Sequence, residues 1–281
     1  ESFATWTPNR RLKGKPTIDT FYDLAFEELV NIRKDASPGY PYNRFYSTVE
    51  QTLECERFAI AKLAAARLWL MFYMDGGDNI QSMMKDGQTS LSSIHTMNEI
   101  VRVLSDPVST FMKMEPHPER KLKIGKYRTI DAKSIVDQCV ERVLFTERHY
   151  NNRCNYPLGS SAIGIGFTDQ QNKEFADSVT QTAYTHGCLP TYSDVSGWET
   201  GVSVQLMAHS VDIECMSIAE PGFDHLKRAV KIWVACMAYT HYVLPNGMRY
   251  YKLNPGKLAS GSYETSEFNT LMRAFVSKLA R

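Results

Sequence analysis

Apolar side chains fall at helical spacing from about Thr17 to Lys34, with Phe21, Leu24, Leu29 and Ile32 near one face. Ser37-Pro-Gly-Tyr-Pro-Tyr42 ends that pattern, because two prolines around a glycine force a rigid, extended turn. The helical pattern is strongest from Glu54 to Met74, and the polar, glycine-containing residues 75–92 predict a loop. From Val108 to Lys133 the pattern becomes strand-like. It returns to helix from Ser134 to Arg148, with Ser134 placed to cap and Asp137 at the third helical position. Leu189 to Val195 predicts a short core strand, and Val202–Ile218 and Phe223–Val243 predict helices. A Pro245-Asn-Gly247 turn joins two strand-like runs as a hairpin, and the segment from Thr265 onward is helical. Residues 1–16 are basic, with Pro8 and Pro16, and read as an extended arm. Strands mixed with long helices predict an α/β or α+β fold.

A chain of 281 residues suffices for one large domain or two closely packed subdomains with a sizeable core. The formal net charge of +1 gives no hint of a polyanionic partner, but a sum can hide a local patch. Here it does. Lys113, Arg120, Lys121, Lys123, Lys126, Arg128 and Lys133 fall within 21 residues, against Glu115, Glu119 and Asp131. On alternating strand positions several would share one face, as a channel for triphosphates needs; the plainer reading is a solvated charged hairpin. The six cysteines are scattered without a CxxC pair, which fits free thiols in a reducing compartment better than a disulfide framework. His186 and Cys188 would make half a zinc site without a second half. The most apolar run, Ala59 to Met74, contains Lys62 and Arg67 and reads as a buried helix.

Two segments carry candidate chemistry. In Asp194-Val-Ser-Gly-Trp-Glu199 a carboxylate follows an apolar–polar run, Gly197 allows a sharp turn, and a second carboxylate comes five positions on. Phosphoryl transfer from a nucleoside triphosphate needs carboxylates that hold divalent metal against developing negative charge. The alternative is an aspartate capping the next helix, with Glu199 on its exposed side. In Ser260-Gly-Ser-Tyr-Glu-Thr265-Ser-Glu-Phe-Asn269 the Ser260-Gly261 loop allows close backbone approach. Thr265 and Asn269 are four apart and share a helix face, where hydroxyl and amide groups suit reading a sugar hydroxyl. Ordinary helix capping is again the alternative.

Taken in order, these segments resemble a viral RNA-dependent RNA polymerase of the picornavirus-like supergroup, in its sobemovirus and polerovirus branch. Ala36 to Tyr42 resembles motif G; Phe111 to His117, continuing through Lys126 to Ile130 and Ser134 to Asp137, resembles motif F; Asp194 to Glu199 resembles motif A, and Ser260 to Asn269 motif B. The resemblance spans residues 36–269. It implies that Asp194 is the first metal-binding aspartate, and that Glu199 stands where the ribose-sensing residue is usually Asp. Asn269 and Thr265 would complete that sugar-reading network. Arg128, Lys123 and Lys113 would hold the incoming triphosphate. Ser37 and Gly39 would guide template, and Ser260 and Gly261 would form the flexible loop over template and nascent pair. Glu264 departs from the small or amide residue of relatives.

The implied fold is α+β: right-hand polymerase fingers with part of the palm, truncated before the catalytic hairpin. Residues 1–188 would form the arm and fingers. Residues 189–281 would form the partial palm with an intervening fingers-associated helical segment. The implied reaction is template-directed RNA synthesis with Mg2+ or Mn2+, RNA template and primer, and nucleoside triphosphates, in a replication complex in the host cytoplasm. A protein primer is compatible with the family. No second aspartate pair follows residue 269, so the expectation is inactivity without a downstream segment or a second chain. A non-catalytic RNA-binding or assembly module on a polymerase-like framework is the alternative. Gly77-Asp78-Asn79 resembles a Gly-Asp-Asp turn, but it precedes motif F among polar residues and predicts a surface loop. Gly164-Ile-Gly166 lacks the third glycine of a dinucleotide fingerprint. His209 on a predicted helix reads as core or surface.

Overall fold

The structure, a computed structural model, describes residues 5–87, 91–116, 118–125, 128–155, 168–187, 189, 198–218, 220–263 and 265–279. Its elements in order are α1 (Ile18–Glu28), α2 (Val49–Tyr73), α3 (Gly77–Lys85), α4 (Leu91–Leu104), β1 (Val108–Met112), α5 (Glu119–Lys123), β2 (Thr129–Ala132) and α6 (Ile135–Cys154). After these come α7 (Asp169–His186), α8 (Trp198–Gly201), α9 (Val204–Ser217), α10 (Asp224–Ala238), β3 (His241–Val243), β4 (Arg249–Tyr251) and α11 (Thr265–Leu279). The fold is α+β.

Hydroxyl caps start the long helices. Thr17, Thr48, Ser134 and Ser203 each accept a hydrogen bond from the backbone N–H three residues on, satisfying a donor that the first turn leaves open. α1 is shorter than its apolar pattern, passing into a 3-10 turn at Leu29–Asn31. The chain beyond is used elsewhere: the carbonyls of Lys34 and Ala36 accept from Glu50 N and Val49 N at 3.0 and 2.9 Å, closing the start of α2. α2 therefore begins before Glu54, with Val49 and Thr52 fully buried.

The loop expected over residues 75–92 is instead α3 and the start of α4. Gly77-Asp78-Asn79 opens a helix rather than a surface loop. Ile80 and Met84, one turn apart, are buried, and Gln81 Nε2 donates to Ala208 O of α9 at 2.5 Å. Three apolar positions, Ile80, Met83 and Met84, are too few to read as a helix against so polar a background; tertiary packing supplies what periodicity lacks.

One sheet runs in the order β2-β1-β3-β4. β1 pairs antiparallel with β2 and parallel with β3, while β3 and β4 form the expected antiparallel hairpin, with Gly247 at φ +83 in its turn. The strand-like run from 108 to 133 holds only at its ends. Pro118, which has no N–H for a ladder, precedes the short helix α5 instead. The helix predicted to reach Val243 stops at Ala238, where Thr240 Oγ1 donates to the carbonyls of Cys236 and Met237 at 3.0 and 2.7 Å and the chain turns into β3.

The core lies where α2 packs on α1, α6 and α10, and α10 on α3 and α9. Phe21 meets Phe72 at 4.7 Å and Phe145 meets Trp233 at 4.6 Å between ring centroids; each such side chain contributes about 1.5–3 kcal/mol by burial. Residues from both sides of position 188 share this core. Cys55, Cys139, Cys154, Cys215 and Cys236 carry free thiols. No helix among the described residues is long and apolar enough to cross a membrane.

Candidate functional site

The end of β2 is the point on which separated segments converge. Gly39, at φ +70, lies so close beneath it that a Cβ there would stand 2.1 Å from the carbonyl oxygen of Lys133. Pro38 O accepts from Ile135 N at 2.8 Å, fixing the 37–42 turn to the start of α6. Ser37 Oγ accepts from Gly39 N at 3.3 Å, within the turn. From the other direction comes the 260–263 loop, where a Cβ on Gly261 would meet Asp131 O at 1.8 Å. Both glycines are required by close approach of backbone, and any side chain would force the segments apart. Ser260 completes the second contact: its Oγ accepts from Asp131 N at 3.1 Å and its N–H reaches Asp131 Oδ2 at 3.4 Å.

Beneath this junction Glu141 of α6 is wholly buried and accepts four hydrogen bonds. Its donors are Lys133 Nζ, Ser262 Oγ at 2.9 Å, Tyr263 N at 2.8 Å and Trp233 Nε1 at 3.3 Å. Burial disfavours the Lys133 ammonium, but the charges of Glu141 and Asp137 together with the Glu141 hydrogen bond outweigh it and hold the lysine pKa above its ordinary value. A second buried group fixes the first turn of α6. Arg67 of α2 donates to Asp137 at 2.8 Å and to both oxygens of Asp106 at 3.0 and 2.8 Å. Asp131 and Glu141 were not singled out in the sequence, although Glu141 lies one turn after Asp137 beside the apolar positions Val140 and Leu144, where a carboxylate needs a partner.

On α11, Thr265 and Asn269 share a face as their spacing predicts. Thr265 Oγ1 donates to Ala259 O at 2.6 Å, pinning the loop to the helix start. Asn269 Oδ1 accepts from Trp198 Nε1 at 2.8 Å, and the Arg273 guanidinium lies 5.3 Å from the Trp198 ring. The start of α8 is thus docked on the face carrying Asn269. Glu199 is the next residue of α8, its side chain outside the described part, and Asp194 and Glu264 lie outside the described residues, as does most of the strand predicted at 189–195. Among the described residues no group of three or more His, Cys, Asp or Glu could hold a metal ion.

The basic residues are arranged differently from an alternating strand face. Lys113 and Arg128 converge on Glu115, at 2.6 and 2.8 Å, across the extension of the β1–β2 ladder. The hydrogen bond from Lys113 and the charge of Arg128 hold the Glu115 carboxyl below its usual range. Lys123 is on α5, paired with Glu119 at 2.8 Å, and Lys133 points into the core. Behind the 260–263 loop, Lys257 Nζ lies 3.4 Å from Asp131 Oδ2, and burial together with Lys257 pushes the Lys252 pKa down to about 8.

A family model described as viral RNA-directed RNA-polymerase matches residues 29–160, which contain the 36–42 turn and the whole basic run. The chain is a relative of viral RNA-directed RNA polymerases of the sobemovirus and polerovirus kind. It is 30% identical over 266 residues to the replicase polyprotein P2AB of Southern bean mosaic virus, covering 92% of this chain and 26% of that protein. Protein P1-P2 of Potato leafroll virus (strain Potato/Scotland/strain 1/1984) is 29% identical over 286 residues, 98% of this chain and 26% of that protein. An RNA-directed RNA polymerase of Mushroom bacilliform virus is 27% identical over 274 residues, 96% of this chain and 61% of that protein. The chain spans about a quarter of the length of the replicase polyprotein it matches.

Proposed function

We propose that this chain forms the fingers and part of the palm of a template-directed RNA polymerase, which joins nucleoside triphosphates to an RNA 3′-hydroxyl with release of pyrophosphate. The observation that supports it most is the convergence at β2: the 37–42 turn and the 260–263 loop press glycines against Lys133 and Asp131, and Trp198 docks on Asn269. A polymerase must hold template, sugar and triphosphate in one fixed frame, and such a junction would supply it. In this reading residues 1–188 and 189–281 are subdomains on a common core. Lys113, Arg128 and Lys123 would exchange Glu115 and Glu119 for triphosphate oxygens. Asn269, Thr265 and Glu199 would read the ribose, while Ser37, Gly39, Ser260 and Gly261 would border the RNA.

Asp194 would be a ligand of Mg2+ or Mn2+, and the bound metal would supply charge neutralisation at the transferring phosphate. The other carboxylates would come from a downstream segment in cis or a second chain in trans. The natural setting would be a replication complex in the host cytoplasm, with a protein primer compatible with this frame. The test is primer extension on an RNA template by the 281-residue chain, alone and with the downstream part of its replicase. We expect extension only in the second case, and its loss with Asp194→Asn. Extension unaffected by Asp194→Asn would overturn the assignment. RNA binding without extension even in the completed protein would favour a non-catalytic module instead.

A further inference from the structure

From Phe58 to Tyr73 α2 is apolar on every side, the pattern of a helix enclosed all round, yet α1, α4, α6 and α10 leave one face of it bare. Phe58, Leu63 and Trp69 are 65%, 39% and 43% exposed. Phe58, Lys62, Ala66 and Trp69 recur at steps of one helical turn and form one stripe, with Ala59 and Leu63 beside it. Rings of α1 widen the stripe: Tyr22 meets Phe26 at 6.0 Å and Phe26 meets Phe58 at 5.5 Å between centroids. Ala61, Ala64, Leu68 and Phe72 are buried on the other side of α2, so the stripe points away from the core that holds Glu141. None of it belongs to the segments assigned above to template, ribose or triphosphate.

The arrangement is self-complementary. Phe58 and Trp69 stand evenly about a midpoint at 63–64, with the small side chains of Ala59 and Ala66 between them. A second α2 laid antiparallel across that midpoint would set each Phe58 beside the other copy's Trp69, and the alanines would let the two helices approach closely. A two-fold axis in the plane of this face keeps both α1 helices on one side. There Lys62, the one charged side chain in the stripe and without a carboxylate partner among the described residues, would meet Asp19 and Asp23, which are exposed along α1. An anionic lipid surface would meet those same carboxylates and be repelled. The rings and Leu63 offer apolar surface on the order of 500 Å² per copy. Two copies would bury about 1,000 Å², at the lower end of specific interfaces.

We propose that the bare face of α2 is an isologous dimer interface, on which a second copy of this chain crosses antiparallel over residues 58–69 and Lys62 pairs with α1 of the other copy. An interface of this size makes a dimer in exchange with monomer. Because the stripe faces away from the β2 junction, the dimer leaves that junction open, and the proposal stands whether or not the chain extends a primer.

Sedimentation velocity of the 281-residue chain between about 1 and 100 µM tests it, with an expected dissociation constant of about 10 µM. Trp69→Ser and Phe58→Ser, at exposed positions that leave the fold intact, should each weaken association at least about tenfold. Lys62→Glu should weaken it about fivefold, and adding Asp23→Lys should restore most of that loss, which apolar contact alone would not do. A monomer at all these concentrations would overturn the proposal. So would a dimer that Trp69→Ser and Phe58→Ser leave unchanged, since it would use another face. Flotation of the wild-type chain, but not of Trp69→Ser, with phosphatidylcholine vesicles would overturn it as well, by assigning the stripe to a bilayer surface.

Discussion

Lys133 and Lys113 belong to one basic run, and their surroundings are opposite. The Lys133 side chain is 4% exposed against a Glu141 that is 0% exposed, while Lys113 and Arg128, at 38% and 63%, share one partner at the surface. A buried pair cannot exchange partners without leaving a charge in the core, so it holds geometry. A surface pair is screened by salt and contributes little to stability, so it can give up its carboxylate to a phosphate at small cost. Basic residues in a sequence are thus of two kinds, and only packing separates them.

The contrast is broken most severely at Glu141. Glu141→Ala strands the Lys133 ammonium and three further donors, and we expect a loss of about 3–5 kcal/mol in urea unfolding. Next comes Gly261→Ala, which drives a methyl group into Asp131 O and should cost about 1–3 kcal/mol. Gly201→Ala, with nothing within 4 Å, is its control and should shift stability by no more than about 1 kcal/mol. At the surface the prediction reverses: Arg128→Gln and Lys113→Gln should leave the unfolding midpoint unchanged while weakening nucleoside triphosphate binding roughly tenfold each by titration.

A pH dependence marks a third kind of lysine. Lys252 is held at about 8, below its ordinary 10.5, so between those values the unfolded chain binds more protons than the folded one. Stability from this group therefore rises with pH across that window. Below it the penalty is present in full. Wild type minus Lys252→Met, compared by urea unfolding at pH 7.5 and at pH 10, should show the rise; parallel curves would refute it.

Much of this was legible before the structure. The apolar spacing from Phe21 to Ile32 announces α1, Ser134 announces the start of α6, and Pro245-Asn-Gly247 announces the hairpin, because caps and turns are local chemistry. α3 was not, since Ile80 and Met84 gain their meaning only against α9 and α10. The segments around Gly39, Trp198 and Gly261 could each be picked out singly. Nothing local tells that Gly39 and Gly261 press on the same short strand, or that Asn269 is bonded to Trp198, because both are long-range contacts. Glu141 was invisible for the same reason: its partners come from the residue after β2, α10 and the 260–263 loop together.

The junction at β2 also decides where this chain could survive being cut. Lys123 and Ile124 stand at the surface, and Gly125 has nothing within 4 Å. Brief trypsin treatment should nick there, yet the two pieces should stay together on a sizing column in native buffer. The β1–β2 ladder, the contact of Gly39 with Lys133, the Arg67–Asp137 pair and the packing of α2 on α6 and α10 would hold them as a two-piece protein without the peptide bond between them.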